Sequence, residues 1–212
     1  STNENNLRTD MLDSLNKVKD KMFVFVHENN IASRCGYSML MGFLDQNIWN
    51  VPLDSPYQNF HPKVWLIRYT QKNGNGKPAT GANFKYRLIT MSRNITAATD
   101  FDIAVTMESY QTEIESAENS SLTIMMTELM ERTGRKDIIK QFTKELKHVR
   151  FIPPYLFDRR GKTAIFWPHV FGQLKSPLLQ DKEYEELLVI SPFIDDNTLN
   201  MLHSRCQNYR PI

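Results

Sequence analysis

Two runs of β-forming residues, 63–70 (KVWLIRYT) and 84–90 (FKYRLIT), flank a glycine-rich segment at 71–83. Branched and aromatic residues favour strands, whereas the glycines and the proline between the runs favour turns. This order predicts two antiparallel strands joined by a long hairpin. The run 101–107 predicts a third strand. Because a sheet must bury one face, the rest of the chain is expected to pack against these strands.

Helical and strand patterns alternate along the remaining sequence, which predicts an α/β protein with a mixed β-sheet flanked by helices. Gly134 is expected to break a long helical pattern into two helices. Asp195 or Asp196 is expected to cap the last helix, which runs to about Leu202. The other predicted elements are helices at 7–20, 37–44, 122–132 and 136–147, and strands at 22–26, 48–51, 149–152, 163–166 and 187–190.

The composition is that of an ordinary globular protein, with 41% hydrophobic and 24% charged residues. No apolar run approaches the roughly 20 residues of a membrane-spanning helix, and the first residues are too polar for a secretory signal. A cytoplasmic location is therefore predicted. With a formal net charge of +2, the composition by itself does not indicate nucleic acid. Cys35 and Cys206 have neither metal-site nor disulfide-framework spacing, so reduced thiols are expected.

Four polar side chains lie where the first two predicted strands begin and end. His61 and Lys63 are two residues apart, so they point to the same face of the sheet. Ser92 and Asn94 have the same spacing at the end of the second strand. If the strands pair antiparallel, all four meet at one end of the sheet. An imidazole, an ammonium, a hydroxyl and an amide suit a phosphate ester, because they can neutralise its charge, bind its oxygens and attack phosphorus or move protons.

The segments FHPKVWLIRY and RLITMSRNIT resemble the signature of the phospholipase D superfamily, which is His-x-Lys, a hydrophobic strand and then Gly-Ser-x-Asn. The resemblance implies a phospholipase D-like fold and a phosphodiesterase that works through a phosphohistidine, without metal or cofactor. His61 is then the nucleophile or, in the alternative, the general acid. Lys63 and Asn94 hold the phosphoryl oxygens, and Ser92 supports the histidine or the phosphate.

Three further positions bear on the resemblance. Asp102, in DFDIAV, resembles the acidic residue that often follows the serine–asparagine element, and it either orients a site residue or caps a strand. Met91 stands where a glycine usually precedes the serine, and Arg68 stands where the family usually has an aspartate. Relatives that process DNA ends, such as tyrosyl-DNA phosphodiesterase, tolerate loss of that aspartate, which favours nucleic acid over lipid. Arg68 is a candidate phosphate contact, although a solvated arginine at the strand end is the simpler interpretation.

The resemblance also predicts the division of the chain. Residues 1–110 are expected to form a phospholipase D-like repeat that carries the motif. Residues 111–183 are expected to form a connecting region of helices and short strands, and residues 184–212 are expected to begin a second repeat. Superfamily members use two motifs, and this sequence holds one His-x-Lys. The expected partners are a phosphodiester substrate, with DNA favoured, and a second active-site half. That half would come from a C-terminal repeat beyond Ile212 or from a homodimer partner. The closest resemblance is to bacterial restriction and DNA-processing proteins.

Two other functions stay open, and neither is expected to involve a metal. One is phosphatidyl transfer, which normally goes with membrane-associating segments. The other is a non-catalytic module that keeps the fold and binds nucleic acid. His27 follows a predicted strand and is interpreted as a core or rim histidine, with a place in the same cleft as the alternative. His148, His169 and His203 have no lysine two residues further on and are interpreted as structural or exposed. No His, Cys or carboxylate cluster has zinc or two-metal spacing.

Overall fold

A computed structural model describes residues 2–28, 42, 45–77, 83–93, 102–154, 164, 166, 183–187 and 194–206 of the chain. Helices and strands intermix along these residues, which confirms the predicted α/β class. In chain order the elements are α1 (Thr2–Val18), β1 (Val24–His27), β2 (Ile48–Val51), β3 (Val64–Thr70), β4 (Phe84–Met91), β5 (Ala104–Gln111), α2 (Ser120–Thr133), α3 (Lys136–Leu146), β6 (Val149–Phe151) and α4 (Asp196–His203).

The described strands form two separate sheets. β1 and β2 pair in parallel, whereas β3, β4, β5 and β6 form an antiparallel sheet in that order. The sequence predicted a single mixed sheet. Parallel and antiparallel pairs both occur among these residues, but in different sheets. A parallel pair needs a long crossover, which the segment between β1 and β2 provides, while the hairpin after β3 leads directly to an antiparallel neighbour.

The predicted hairpin between β3 and β4 is confirmed. Its register pairs Val64 with Thr90 and Thr70 with Phe84. At the tip, the backbone N–H of Asn73 donates to the carbonyl of Lys77 at 2.8 Å. Gly76 lies inside this turn with a φ of 73°, which glycine adopts without a steric penalty. Gly76 therefore serves a turn within the segment that joins the two strands.

Strand β5 lies further along the chain than the predicted 101–107. It runs through Gln111 because its polar residues are used inside the sheet. The buried hydroxyl of Ser109 accepts a hydrogen bond from the backbone N–H of Tyr86 at 2.8 Å. Glu108 forms ion pairs with Lys85 and Arg87 on the neighbouring strand. Apolar periodicity did not predict the second half of this strand, because its residues make polar contacts within the sheet instead of burying apolar side chains.

The helices follow the predicted order. Gly134 separates α2 from α3 in a left-handed conformation, with a φ of 70° that suits glycine after a helix. The side chain of Asp195 caps α4 by accepting the N–H of Thr198 at 2.9 Å, so the predicted cap is confirmed. The predicted helix 37–44 and strand 187–190 lie almost wholly outside the described residues. Within the described part of the chain, no helix is both long and apolar enough to cross a bilayer.

The antiparallel sheet packs one face, here called the inner face, against α2 and α3. Side chains alternate along each strand, so residues of one parity are buried there. The inner face and the two helices thus form one core, to which the region 111–183 contributes β6 and both helices. The buried residues of this core include Tyr86, Leu88, Met107, Val149 and Phe151 from the sheet, and Leu122, Met125, Met126, Leu129, Ile139 and Leu146 from the helices.

Candidate active site

Lys63 and Ser92 lie next to neighbouring strands, at the same end of the antiparallel sheet. Lys63 directly precedes β3, and Ser92 directly follows β4. The backbone N–H of Met91 donates to the carbonyl of Lys63 at 2.9 Å, so the pairing of the two strands extends to this edge. The N–H of Ser92 donates to the carbonyl of Ile103 at 2.9 Å and ties the same edge to the segment before β5.

His61 and Lys63 contact each other directly. The Nζ of Lys63 lies 2.7 Å from the Nδ1 of His61 and 3.4 Å from the carbonyl oxygen of His61. An ammonium group can only donate, so Nδ1 accepts, and the proton of the neutral imidazole is then on Nε2. The imidazole is exposed, while the lysine is half-buried. This tautomer places the ring proton on Nε2, so in this form the imidazole can donate a proton from Nε2 but offers no lone pair there.

Burial lowers the pKa of Lys63 below that of an ordinary lysine. The charged form is disfavoured because the aliphatic stem and ammonium lie against the sheet edge rather than in bulk water. A phosphate oxygen next to Nζ would restore favourable interactions for the charge. Lys63 is therefore a cation whose environment favours an anionic partner.

Ser92 and Asp102 form a second contact at this edge. The hydroxyl of Ser92 donates to the carboxylate of Asp102 and accepts the backbone N–H of Ile103 at 3.1 Å. Both bonds hold the end of β4 against the segment before β5. Asp102 therefore contacts a predicted site residue, and both of its proposed roles stay predictions. Asn94 lies outside the described residues, so its predicted contact with the phosphoryl oxygens stays a prediction.

Arg68 lies on the inner face, five positions beyond Lys63 along the chain. Its Nε and Nη2 donate to the carboxylate of Glu145 on α3 at 2.7 and 2.8 Å. Its Nη1 also donates to Thr70, and Tyr86 donates to the same carboxylate. The guanidinium therefore joins the sheet to α3. It is not a solvated strand-end arginine, and its proposed contact with substrate stays a prediction without a described contact to support it.

His27 contributes a second imidazole to the loop before β3. Its Nδ1 lies 3.0 Å from the Oδ1 of Asn59, which is two residues before His61. The amide oxygen can only accept, so Nδ1 carries a proton, and Nε2 of the neutral ring is free to accept one. Sequence reasoning favoured a rim or core role for His27. In the sequence, the position of His27 at the end of a predicted strand was the feature that could have indicated its approach to this loop.

A groove of about 650 Å³ lies at the opposite end of the antiparallel sheet, so it does not coincide with the His61 edge. It is lined by Phe84, Gln111, Thr112, Glu113, Lys140, Gln141, Lys144, Glu145 and His148. Volume alone does not identify a site. The candidate reactive side chains lie instead at the His61 edge, where His61 and Ser92 are exposed. In the described ranges, no group of three or more His, Cys, Asp or Glu side chains is placed to hold a metal ion.

A scan against protein-family models, a search of curated proteins and a search of solved structures each found no match to this chain.

Proposed function

We propose that the chain is a phosphodiesterase of the phospholipase D type that acts on nucleic acid without a metal ion. The observation that supports this most is the direct contact between His61 and Lys63 at the edge where Ser92 and Asp102 also meet. An exposed imidazole beside a partly desolvated cation is suited to bind and attack a phosphodiester. The phospholipase D-like fold belongs to the same proposal.

The contact between His61 and Lys63 also suggests how substrate binding makes the imidazole nucleophilic. When a phosphate oxygen accepts an N–H of Lys63, Nδ1 is released and can carry the ring proton, which leaves the Nε2 lone pair free. Nε2 then forms a bond to phosphorus, and the bond from phosphorus to the leaving oxygen breaks. The leaving oxygen takes a proton from an acid. Water next gives a proton to the conjugate base of that acid and attacks phosphorus, the P–N bond breaks, and both the acid and the imidazole are regenerated.

This mechanism needs an acid besides the nucleophile. His61 of a second copy is one source, as the predicted homodimer requires. His27 is another once its Nε2 has taken up a proton, because its bond to Asn59 brings its ring to the loop that holds His61. The two sources differ in their dependence on protein concentration, since only the first requires association.

We expect turnover per chain to rise with protein concentration as dimers form, and His27→Gln to leave that activity within about threefold of the parent. Sedimentation under assay conditions gives the dimer fraction at each concentration. The control is Tyr57→Phe, because Tyr57 is almost fully exposed on the same loop. Constant turnover from monomers, with loss of about 100-fold or more in His27→Gln, would instead assign the acid to His27.

A chelator is expected to leave the activity unchanged, because the proposed chemistry uses a histidine nucleophile and lysine charge. The protein is assayed on single-stranded DNA, double-stranded DNA and bis(4-nitrophenyl) phosphate, with and without excess EDTA. A metal-dependent nuclease of known chelator sensitivity is the positive control. Loss of all hydrolysis in EDTA, restored by Mg²⁺ or Zn²⁺, contradicts the histidine mechanism.

A non-catalytic nucleic-acid-binding module is the second candidate. The observation that favours it is Arg68, which takes the position of the family's usual aspartate and is used to hold α3. With an arginine at this position, the motif lacks the carboxylate that the family usually has. The two candidates differ in one measurement, because only the enzyme forms a phosphohistidine during turnover.

A further inference from the structure

The face of the antiparallel sheet opposite α2 and α3, here called the outer face, carries aromatic and basic side chains. The register of the strands places them in rows across the sheet. The row nearest the candidate site contains Lys63, Met91 and Ala104. The following rows contain Trp65, Ile89 and Thr106, then Ile67, Arg87 and Glu108, and finally Tyr69, Lys85 and Tyr110.

Three large aromatic side chains of this face are accessible to solvent. Trp65 is 47% exposed, Tyr69 is 43% exposed and Tyr110 is 46% exposed. Tyr69 and Tyr110 lie in one row, two strands apart, at a spacing of about 10 Å between their backbones. Exposed aromatic residues spaced in this way offer flat apolar surfaces to ligands that can stack on them.

The charges of the outer face favour an anion. Lys63, Lys85 and Arg87 are cations, and Glu108 is the only acidic residue among the four rows. Glu108 pairs with both Lys85 and Arg87, which holds the pKa of its carboxyl below the ordinary range. Arg87 also lies 5.4 Å from the ring centroid of Tyr69, so positive charge stands next to a stacking surface.

The outer face leads directly to the candidate active site. Trp65 is two residues from Lys63 on the same side of β3, a backbone separation of about 7 Å. A base stacked on Trp65 would therefore have its own phosphate, or the next one, near Lys63 and His61. The rows beyond Trp65 extend the surface along the strands toward Tyr69 and Tyr110.

We propose that the outer face binds single-stranded nucleic acid, with bases stacked on Trp65, Tyr69 and Tyr110 and the backbone directed to His61 and Lys63. This inference rests on the proposed function, whose substrate class it narrows. Unpaired bases have free faces that stack on aromatic rings, whereas the bases of a duplex are already stacked on each other. Two copies of this face placed against each other would bring like charges together, so the charge favours a polyanion over a second copy.

The inference is tested by fluorescence anisotropy with a labelled 20-nucleotide single strand and with the duplex of the same sequence. The His61→Ala background is used, so that the strand is not cleaved during titration. Trp65→Ala and Tyr110→Ala are each expected to weaken single-strand binding about 5- to 100-fold. Lys85→Gln with Arg87→Gln is expected to weaken binding and to reduce its salt dependence. Ile124→Ala is the control, because Ile124 is an exposed residue of α2, away from the outer face.

Circular dichroism and urea unfolding check that each variant is folded. The double variant Lys85→Gln with Arg87→Gln tests the inference independently of the aromatic variants. Affinity in all three variants equal to that of Ile124→Ala overturns the inference. Tighter binding of duplex than of single strand also overturns it. If the parent protein is a dimer and Trp65→Ala is monomeric with unchanged affinity for the single strand, the outer face binds a second copy of the chain instead. Failure of the proposed function is distinguishable, because it appears as no hydrolysis by the parent protein while strand binding still depends on Trp65 and Tyr110.

Discussion

Replacing His61 with Ala is expected to lower phosphodiesterase turnover by at least about 1,000-fold while leaving the fold intact. The imidazole is exposed, so its removal leaves no cavity in the core. It does remove the proposed nucleophile of the reaction. The measurement is steady-state hydrolysis of DNA and bis(4-nitrophenyl) phosphate, with the free energy of unfolding determined by urea titration on the same sample.

Two companion variants make the His61 result specific. His61→Asn keeps a hydrogen-bonding side chain without a nucleophile and is expected to be as inactive as His61→Ala. Lys63→Ala is expected to weaken phosphate or substrate binding by about 1.5–3 kcal/mol, the value of a lost charge-assisted hydrogen bond. Acid-labile phosphate trapped on the parent protein, but not on His61→Ala, would identify the phosphohistidine. Near-parental turnover in His61→Ala contradicts the proposed mechanism and favours the non-catalytic alternative.

Replacing Glu145 with Ala is expected to lower the free energy of unfolding by about 2–4 kcal/mol. The carboxylate accepts hydrogen bonds from Arg68, Tyr86 and Gln141, and it joins the inner face of the sheet to α3. The side chains of Glu145 and Arg68 are only 14% and 23% exposed, so the substitution leaves the guanidinium poorly solvated and without its partner. This loss is smaller than the roughly 3–5 kcal/mol for breaking a fully buried pair, because both groups keep some contact with water.

The control for Glu145 is Glu115→Ala. Glu115 faces Lys147 at 3.9 Å, and both side chains are more than half exposed. Such pairs contribute little, so its loss should change the free energy of unfolding by no more than about 0.5 kcal/mol. Equal effects of the two substitutions would contradict a structural role for the Arg68–Glu145 pair. Arg68→Met then separates this role from substrate contact, because a purely structural arginine affects stability without changing KM in folded protein.

The same network predicts a pH dependence of stability. Burial raises the pKa of Glu145, but the hydrogen bonds from Arg68, Tyr86 and Gln141 outweigh burial and leave the pKa below its ordinary value. A carboxyl with a lowered folded pKa stabilises the fold above its unfolded pKa, and this contribution is lost as the pH falls through the folded value. Urea titrations from neutral to acidic pH should therefore show a smaller acid loss of stability in Glu145→Ala than in the parent.

The sequence by itself determined the elements whose causes are local. Branched and aromatic residues specified β3 and β4, and Asp195 specified the cap of α4. Gly76 specified a turn between the two strands, and Gly134 specified the break between α2 and α3. The closeness of His61 and Lys63 is local too, because they are two residues apart and their side chains contact each other. Each of these features depends on φ and ψ preferences or on alternation within a few residues, so no distant contact was needed.

Only the tertiary structure decided which distant groups meet. It paired Arg68 with Glu145, which is 77 positions away, and brought His27 to Asn59 across 32 positions. It also separated the parallel and antiparallel strands into two sheets and left Trp65, Tyr69 and Tyr110 on an open face. These outcomes depend on which surfaces the helices cover and which polar groups find partners when they lose water. Neither local propensity nor residue spacing encodes that choice, because the competing arrangements satisfy the same local preferences.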